Sequence, residues 1–227
     1  MNLAIIPARG GSKRIPRKNI KSFSGKPMIQ YAIEAANEAE IFDKIIVSTD
    51  DDEISQIAVT LGAEVPFTRP MDLSDDHTPT VPVIRHAIQQ MKSIGWNIEF
   101  VCCIYPAVPF IDSADVVLAL NRVKTHSDRF CFPVAEFSSS IFRSLKMEED
   151  GKLSSFFPEN ELTRTQDLSA AYFDVGQFYW GHSDLWEAGN NLHSCGIGVE
   201  IPSSRAIDID TDNDWQRAEM LFKALYG

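Results

Sequence analysis

An α/β fold built on a mainly parallel sheet, with helices over both faces, is what this 227-residue sequence predicts. Three observations carry the expectation. Apolar runs alternate with helical periodicity as far as Ala135. Those runs are apolar almost throughout, the pattern of strands buried on both faces. Beyond Ser138 the pattern changes to short β-like pieces separated by turn residues, which predicts a small antiparallel insertion.

The elements follow in order. Residues 3–8 form the first strand. Pro27 opens a helix to about residue 40, with Ile29, Ile33 and Ala36 on one face and proline suited to a first turn. Residues 44–48 make the second strand. A helix over 51–61 follows, with acids in its first turn. A short third strand is expected at 64–67, then a helix over 82–94, a strand at 100–105, a helix over 113–124 and a strand at 130–135. Within 138–181 the β-like pieces fall at 141–147, 153–156 and 171–180, and Asp150-Gly151 marks a hairpin. Their unpaired edges offer a dimer surface. The chain returns through strands at 198–201 and 206–209 and closes with a helix over 213–225. No repeat or linker divides it, so residues 1–227 read as one domain carrying an insertion at 138–181.

Composition narrows the partners. With 21 basic against 32 acidic residues and a net charge of −11, the chain is not expected to bind nucleic acid. No apolar run approaches the ~20 residues that span a bilayer, so no membrane association is expected. Met1-Asn2-Leu3 lacks the basic start and apolar core of a signal peptide. Cys102, Cys103, Cys131 and Cys195 show no metal spacing and read as free thiols in a reducing cytoplasm.

The densest chemistry lies after the first strand. Arg9, Lys13, Arg14, Arg17, Lys18, Lys21 and Lys26 are seven of the 21 basic residues, and no acid precedes Glu34. Gly10-Gly11 and Ser12 let backbone N–H groups approach a ligand. A loop leaving the carboxyl edge of a sheet with such cations suits a polyphosphate. Neither GxxxxGK[ST] nor GxGxxG is present. Arg9, Lys13 and Lys18 are the preferred phosphate ligands, with Arg14, Arg17, Lys21 and Lys26 peripheral.

Near the other end stands Ile207-Asp208-Ile209-Asp210-Thr211. Strand alternation aims Asp208 and Asp210 to one side, about 6–7 Å apart, where they can share a hydrated Mg²⁺ that also takes phosphate oxygens. The same acids also suit capping of the closing helix. Asp51-Asp52-Glu53 reads as the cap of the second helix. Arg69, with Thr78 and Thr80, lies in a polar segment that reaches the carboxyl edge and can read a base or ribose, or serve as a loop alone. Arg164 and Gln166 precede an aromatic strand containing Phe178. They can grip a sugar carboxylate, or belong to an ordinary packed hairpin.

With those residues assembled, the chain resembles the cytidylyltransferases that activate acidic nine-carbon sugars, the CMP-sialic acid synthetase family. The resemblance runs through IPARGGSKRIPRKN, GKPMIQYAIEAA, VSTDDDEI, the RPxxL segment at Arg69 and the closing IDIDT, in that order across nearly the whole chain. It implies a Rossmann-like three-layer nucleotidyltransferase fold, a homodimer, and CTP with Mg²⁺. By position, it implies that Ala8, Arg9, Gly10, Gly11, Ser12, Lys13, Lys18 and Asn19 hold the triphosphate and ribose. Arg69, Thr78 and Thr80 fall on the cytidine stretch, Asp208 and Asp210 on the metal carboxylates, and Arg164 and Gln166 near the sugar acid. Arg9, Lys13 and Asp210 carry catalysis in that reading.

One stretch departs from the sialic acid pattern. Where those synthetases usually carry Gln-Pro-Thr-Ser-Pro, this chain reads Tyr105-Pro106-Ala107-Val108-Pro109. The apolar wall, with Phe178 expected beside Tyr105, is similar to the branch acting on pseudaminic acid, a sugar deoxygenated at its terminal carbon. A less hydroxylated sugar needs fewer buried polar partners. A sugar-nucleotide glycosyltransferase with an Asp-x-Asp motif and a non-catalytic CTP-sensing module are the rival readings; sialic or legionaminic acid are rival sugars.

Overall fold

The computed structural model describes residues 1–227. Six strands follow one another across the main sheet in the order β11-β6-β10-β5-β1-β4, and a seventh, β9, pairs with β6. These are β1 Asn2–Pro7, β4 Lys44–Ser48, β5 Phe100–Ile104, β6 Phe130–Glu136, β9 Tyr172–Asp174, β10 Phe178–His182 and β11 Gly196–Glu200. Strands β1, β4 and β5 are mutually parallel, as are β6 and β11, while β10 runs antiparallel between β5 and β6. Two hairpins complete the strands: β2 Ser22–Phe23 with β3 Lys26–Pro27, and β7 Leu145–Met147 with β8 Leu153–Ser155. The helices are α1 Met28–Glu38, α2 Asp52–Thr60, α3 Thr80–Ser93, α4 Ser113–Thr125, α5 Ser183–Ala188 and α6 Asp212–Tyr226.

Strand alternation divides the core. Ala4, Ile6, Cys102, Ile104, Phe178 and Trp180 face α1 and α4. Leu3, Ile5, Val101, Cys103 and Tyr179 face the Ile84, Ala87, Ile88 and Met91 stripe of α3, with Trp186 of α5. Adjacent Cys102 and Cys103 therefore point to opposite layers, and all four cysteines are free.

A third cluster lies outside the sheet. Phe23, Met28, Tyr31 and Phe110 pack against Trp215 and Ala218 of α6, together with Ile15 and Ile209. The basic loop and the aspartate segment are thus anchored in the same small core.

The structure corrects four expectations. Residues 64–67 form no strand, only parallel bridges at Glu64 and Thr68. Pro66 stands between them and supplies no N–H for a continuous ladder. Residues 206–209 pair with no strand. The segment is fastened through Arg205: Gln177 Nε2 donates to its carbonyl at 2.8 Å, and its guanidinium donates to Asp115 at 2.5 Å. The aromatic strand assigned to the insertion lies instead in the main sheet as β10, because its side chains are apolar on both faces and need both core layers. Residues 141–147 divide into a 3₁₀ turn, Ile141–Arg143, and the short β7. The expected hairpin at Asp150-Gly151 is present, with Gly151 at φ +84°.

Candidate active site

The loop after β1 meets four neighbouring segments around a cavity of about 590 Å³. Its conformation is prescribed locally. Asn19 Nδ2 donates to the Arg9 carbonyl at 3.0 Å, and the Gly10 N–H donates to Asp50 Oδ1 at 3.0 Å. Asp51 caps α2 through the Ile54 N–H and accepts both guanidinium nitrogens of Arg17 at 2.5 and 2.9 Å. That contact, first among its causes, lowers the Asp51 pKa. A Cβ at Gly10 would stand 2.6 Å from Asp51 Oδ2, so the loop passes where only glycine fits.

Every one of the seven basic residues has a carboxylate partner. Arg9 and Lys13 both pair with Asp76, Arg14 and Lys18 with Asp210, and Arg17 with Asp51 and Glu53. Lys21 pairs with Asp212 and Lys26 with Glu34. Asp210 is 2.7 Å from Arg14 and 3.5 Å from Lys18.

Asp208 and Asp210 both line the cavity although no strand holds them. Ile209 is only 1 % exposed in the α6 cluster, so the two flanking carboxylates turn the other way. Helix capping belongs to Thr211 and Asp214, which form a reciprocal box. Neither aspartate's side chain is the cap of α6, although Asp210 is paired with Arg14 and Lys18. No group of three or more His, Cys, Asp or Glu side chains converges as a metal site. Two carboxylates beside a phosphate site nevertheless suit Mg²⁺, which takes its other oxygens from substrate and water.

Arg69 is the buried cation of the cavity, 4 % exposed, with Nε and Nη2 lacking hydrogen-bond partners and Asp50 3.6 Å away. Burial pushes its pKa down. Arg69 itself contributes to the cavity wall, and a guanidinium there is suited to a ligand's oxygens. Thr78 and Thr80 line the same wall. Thr80 Oγ1 is 2.6 Å from the Tyr105 hydroxyl, and burial raises the Tyr105 pKa to about 12. The Tyr105 ring packs edge-on against Tyr179, whose hydroxyl donates to Asp174 at 2.7 Å.

Of the residues expected from the sequence, Arg9, Ser12, Lys13, Lys18, Asn19, Arg69, Thr78, Thr80, Tyr105, Asp208 and Asp210 line this one cavity. Ala8 is fully buried beneath it, while Gly10 and Gly11 shape the loop without lining the space. Phe178 is not among the lining residues. It is 0 % exposed on the α1/α4 side of the sheet, so strand parity sends its neighbour Tyr179 toward Tyr105. Arg164 and Gln166 are not brought to the cavity within one chain. They sit at an exposed 3₁₀ turn, Thr165–Asp167, outside the cavity lining. Arg14, treated as peripheral, lines the cavity. Asp76 and Gly176 line it too and were missed. A basic loop this dense requires a counter-charge, and Asp75-Asp76 is an acid pair that could have signalled it.

A mainly parallel α/β sheet with a basic loop, a buried arginine and paired aspartates around one cavity defines a nucleotide-binding enzyme of the transferase type. The sequence profile of the cytidylyltransferase family matches residues 3–225, and the chain belongs to that family. It is 39 % identical over 223 residues, covering 98 % of this chain and 96 % of the relative, to the pseudaminic acid cytidylyltransferase of Campylobacter jejuni subsp. jejuni serotype O:2. It is 37 % identical, with 97 % and 96 % coverage, to the CMP-N,N'-diacetyllegionaminic acid synthase of Legionella pneumophila. Among solved structures, CMP:2-keto-3-deoxy-manno-octonic acid synthetase complexed with CTP superposes with a TM-score of 0.73 over 99 % of both chains. At 18 % identity that likeness shows the shared fold.

Proposed function

We propose that the protein transfers CMP from CTP to the anomeric hydroxyl of pseudaminic acid, releasing pyrophosphate, as a cytoplasmic homodimer that uses Mg²⁺. The observation that carries the reading is the single cavity in which Arg9, Lys13, Lys18 and Arg69 face Asp208 and Asp210 beside the Tyr105–Ala107 wall. Near-full-length similarity to the Campylobacter relative supports the choice of sugar.

In this reading Arg9 and Lys13 hold the β- and γ-phosphates, with the Gly10-Gly11-Ser12 backbone alongside. Lys18 joins them as a phosphate ligand, and Asn19, whose amide donates to the Arg9 carbonyl, holds the loop. Arg69, in the same cavity wall, reads the cytidine with Thr78 and Thr80. The sugar hydroxyl attacks the α-phosphorus, its bond to the β-bridging oxygen breaks, and pyrophosphate leaves. Negative charge develops on the leaving oxygens, where Arg9 and Lys13 stabilise it. Asp208 and Asp210 would hold Mg²⁺, which supplies charge neutralisation at the phosphates. Asp208 has no ion-pair partner, whereas Asp210 is already paired with Arg14 and Lys18.

The β7–β8 hairpin exposes Leu145, Met147 and Leu153, with Phe156 beyond it, a contiguous apolar stretch suited to a second copy. Arg164 and Gln166 keep a role in sugar binding only through such an assembly, since within one chain they stand apart from the cavity. No helix is long and apolar enough to cross a membrane.

The test is Mg²⁺-dependent pyrophosphate release from CTP with pseudaminic, legionaminic and sialic acids offered separately. Release with pseudaminic acid alone supports the assignment. Release only with another sugar keeps the reaction and removes the role given to Tyr105. CTP binding without release from any of them returns the sensing module. The Legionella relative makes legionaminic acid the second reading. For the pocket itself, Tyr105→Gln is expected to lower kcat/KM for pseudaminic acid more than for sialic acid, because an unpaired amide then faces a less hydroxylated sugar. Equal losses on both would show that Tyr105 does not select the sugar.

A further inference from the structure

Asp76 occupies an unusual position for a cavity residue. Its Oδ1 accepts from Arg9 Nη1 and its Oδ2 meets Lys13 Nζ. Those are the two side chains assigned above to the outer phosphates. A carboxylate spreading its oxygens over two cations makes the same charge-assisted contacts that a phosphate makes.

The contact serves no visible local purpose. The turn that carries Asp76 is built by its neighbour: Asp75 Oδ1 accepts from the His77 N–H at 2.9 Å, the Thr78 N–H at 2.6 Å and the Thr78 hydroxyl at 2.6 Å. Asp76 is left to reach across to the basic loop, 67 positions away from Arg9 in sequence. The remaining cations of the loop do not share this partner, since Arg14 and Lys18 turn to Asp210.

We infer that Asp76 is a displaceable counter-ion that holds Arg9 and Lys13 in place of the triphosphate, and so sets how tightly the nucleotide binds and how readily pyrophosphate leaves. The inference rests on the reading of this cavity as the triphosphate site. Triphosphate and Asp76 are both anionic and claim the same two cations, so one must yield. Lys13 is 81 % exposed, and Arg9 and Asp76 keep 33 % and 26 % of their side chains open to water, so the pairs are weak enough to exchange. Protonation is not the route. Contacts from Lys13 and then Arg9 hold the Asp76 pKa down to about 2, so the group stays ionised at any neutral or mildly acid pH. After transfer, the return of Asp76 to Arg9 and Lys13 competes with the departing pyrophosphate for the same donors.

Calorimetric titration without sugar or Mg²⁺, so that no turnover occurs, tests this directly. Inorganic tripolyphosphate, CTP and cytidine are titrated into the wild-type protein, Asp76→Asn and Asp76→Glu. Asp76→Asn is expected to bind CTP and tripolyphosphate about tenfold more tightly at low salt, the advantage shrinking as salt rises. Cytidine affinity should not change, and Asp76→Glu should stay near wild type. Equal or weaker CTP binding by Asp76→Asn overturns the inference, as does equal tightening in Asp76→Glu, which would report loop disturbance instead. Failure of the wild-type protein to bind either phosphate ligand removes the triphosphate reading itself, a distinct outcome visible before any variant is compared.

Discussion

Asparagine in place of Asp210 is expected to lower turnover at least ~100-fold, the scale on which loss of a key electrostatic group reads out. The fold should be almost untouched. Asp210 does not cap α6, because Thr211 and Asp214 satisfy that terminus reciprocally. Its two oxygens meet Arg14, which is 69 % exposed and adds little stability as a surface pair, and Lys18 at 3.5 Å. What the substitution removes is negative charge from a cavity that must gather a cation and orient two basic residues. Pyrophosphate release followed beside thermal unfolding separates the two effects. Near-normal Mg²⁺-dependent turnover with an unchanged melting temperature would take Asp210 out of the metal site.

Trp180→Ala is expected to act on stability rather than chemistry, at a cost of ~3–5 kcal/mol. The indole is fully buried in the middle of the sheet, stacked on Phe42 at 5.1 Å between ring centroids and 4° between planes. Its N–H donates to the Val116 carbonyl of α4 at 3.0 Å, which would be left without that partner. Against a typical domain stability of about 5–15 kcal/mol the loss is large. Urea unfolding would measure it. A midpoint within experimental scatter of the wild type would mean that the α4 face of the sheet repacks without penalty.

Much of this architecture could be read from the residues because the signals were periodic. Continuous apolar runs at β1, β5 and β6 identified a sheet covered on both faces, and the acids before α2 identified its cap. The direction of β10 was not legible: a strand buried on both sides looks alike whichever way it runs. The same limitation misplaced Phe178, since choosing between it and Tyr179 requires knowing which layer each face meets. The convergence of Asp208 and Asp210 was anticipated correctly for the wrong local reason. Burial of Ile209, and not pairing to a neighbouring strand, sets their common direction. Asp76 escaped notice because its significance depends on a contact across the cavity rather than on its neighbours.

The shared anchoring of Ile15 and Ile209 in the α6 cluster has a temporal consequence. Arg14 and its partner Asp210 are 196 positions apart, so the cationic half of the cavity leaves the ribosome long before its acidic half. Until Trp215 and Ala218 arrive, nothing presses the two loops together, and contacts of such separation close late in folding. Until α6 docks, Arg14, Lys18 and Lys21 lack the carboxylates that they meet in the folded chain, so the last helix completes the cavity.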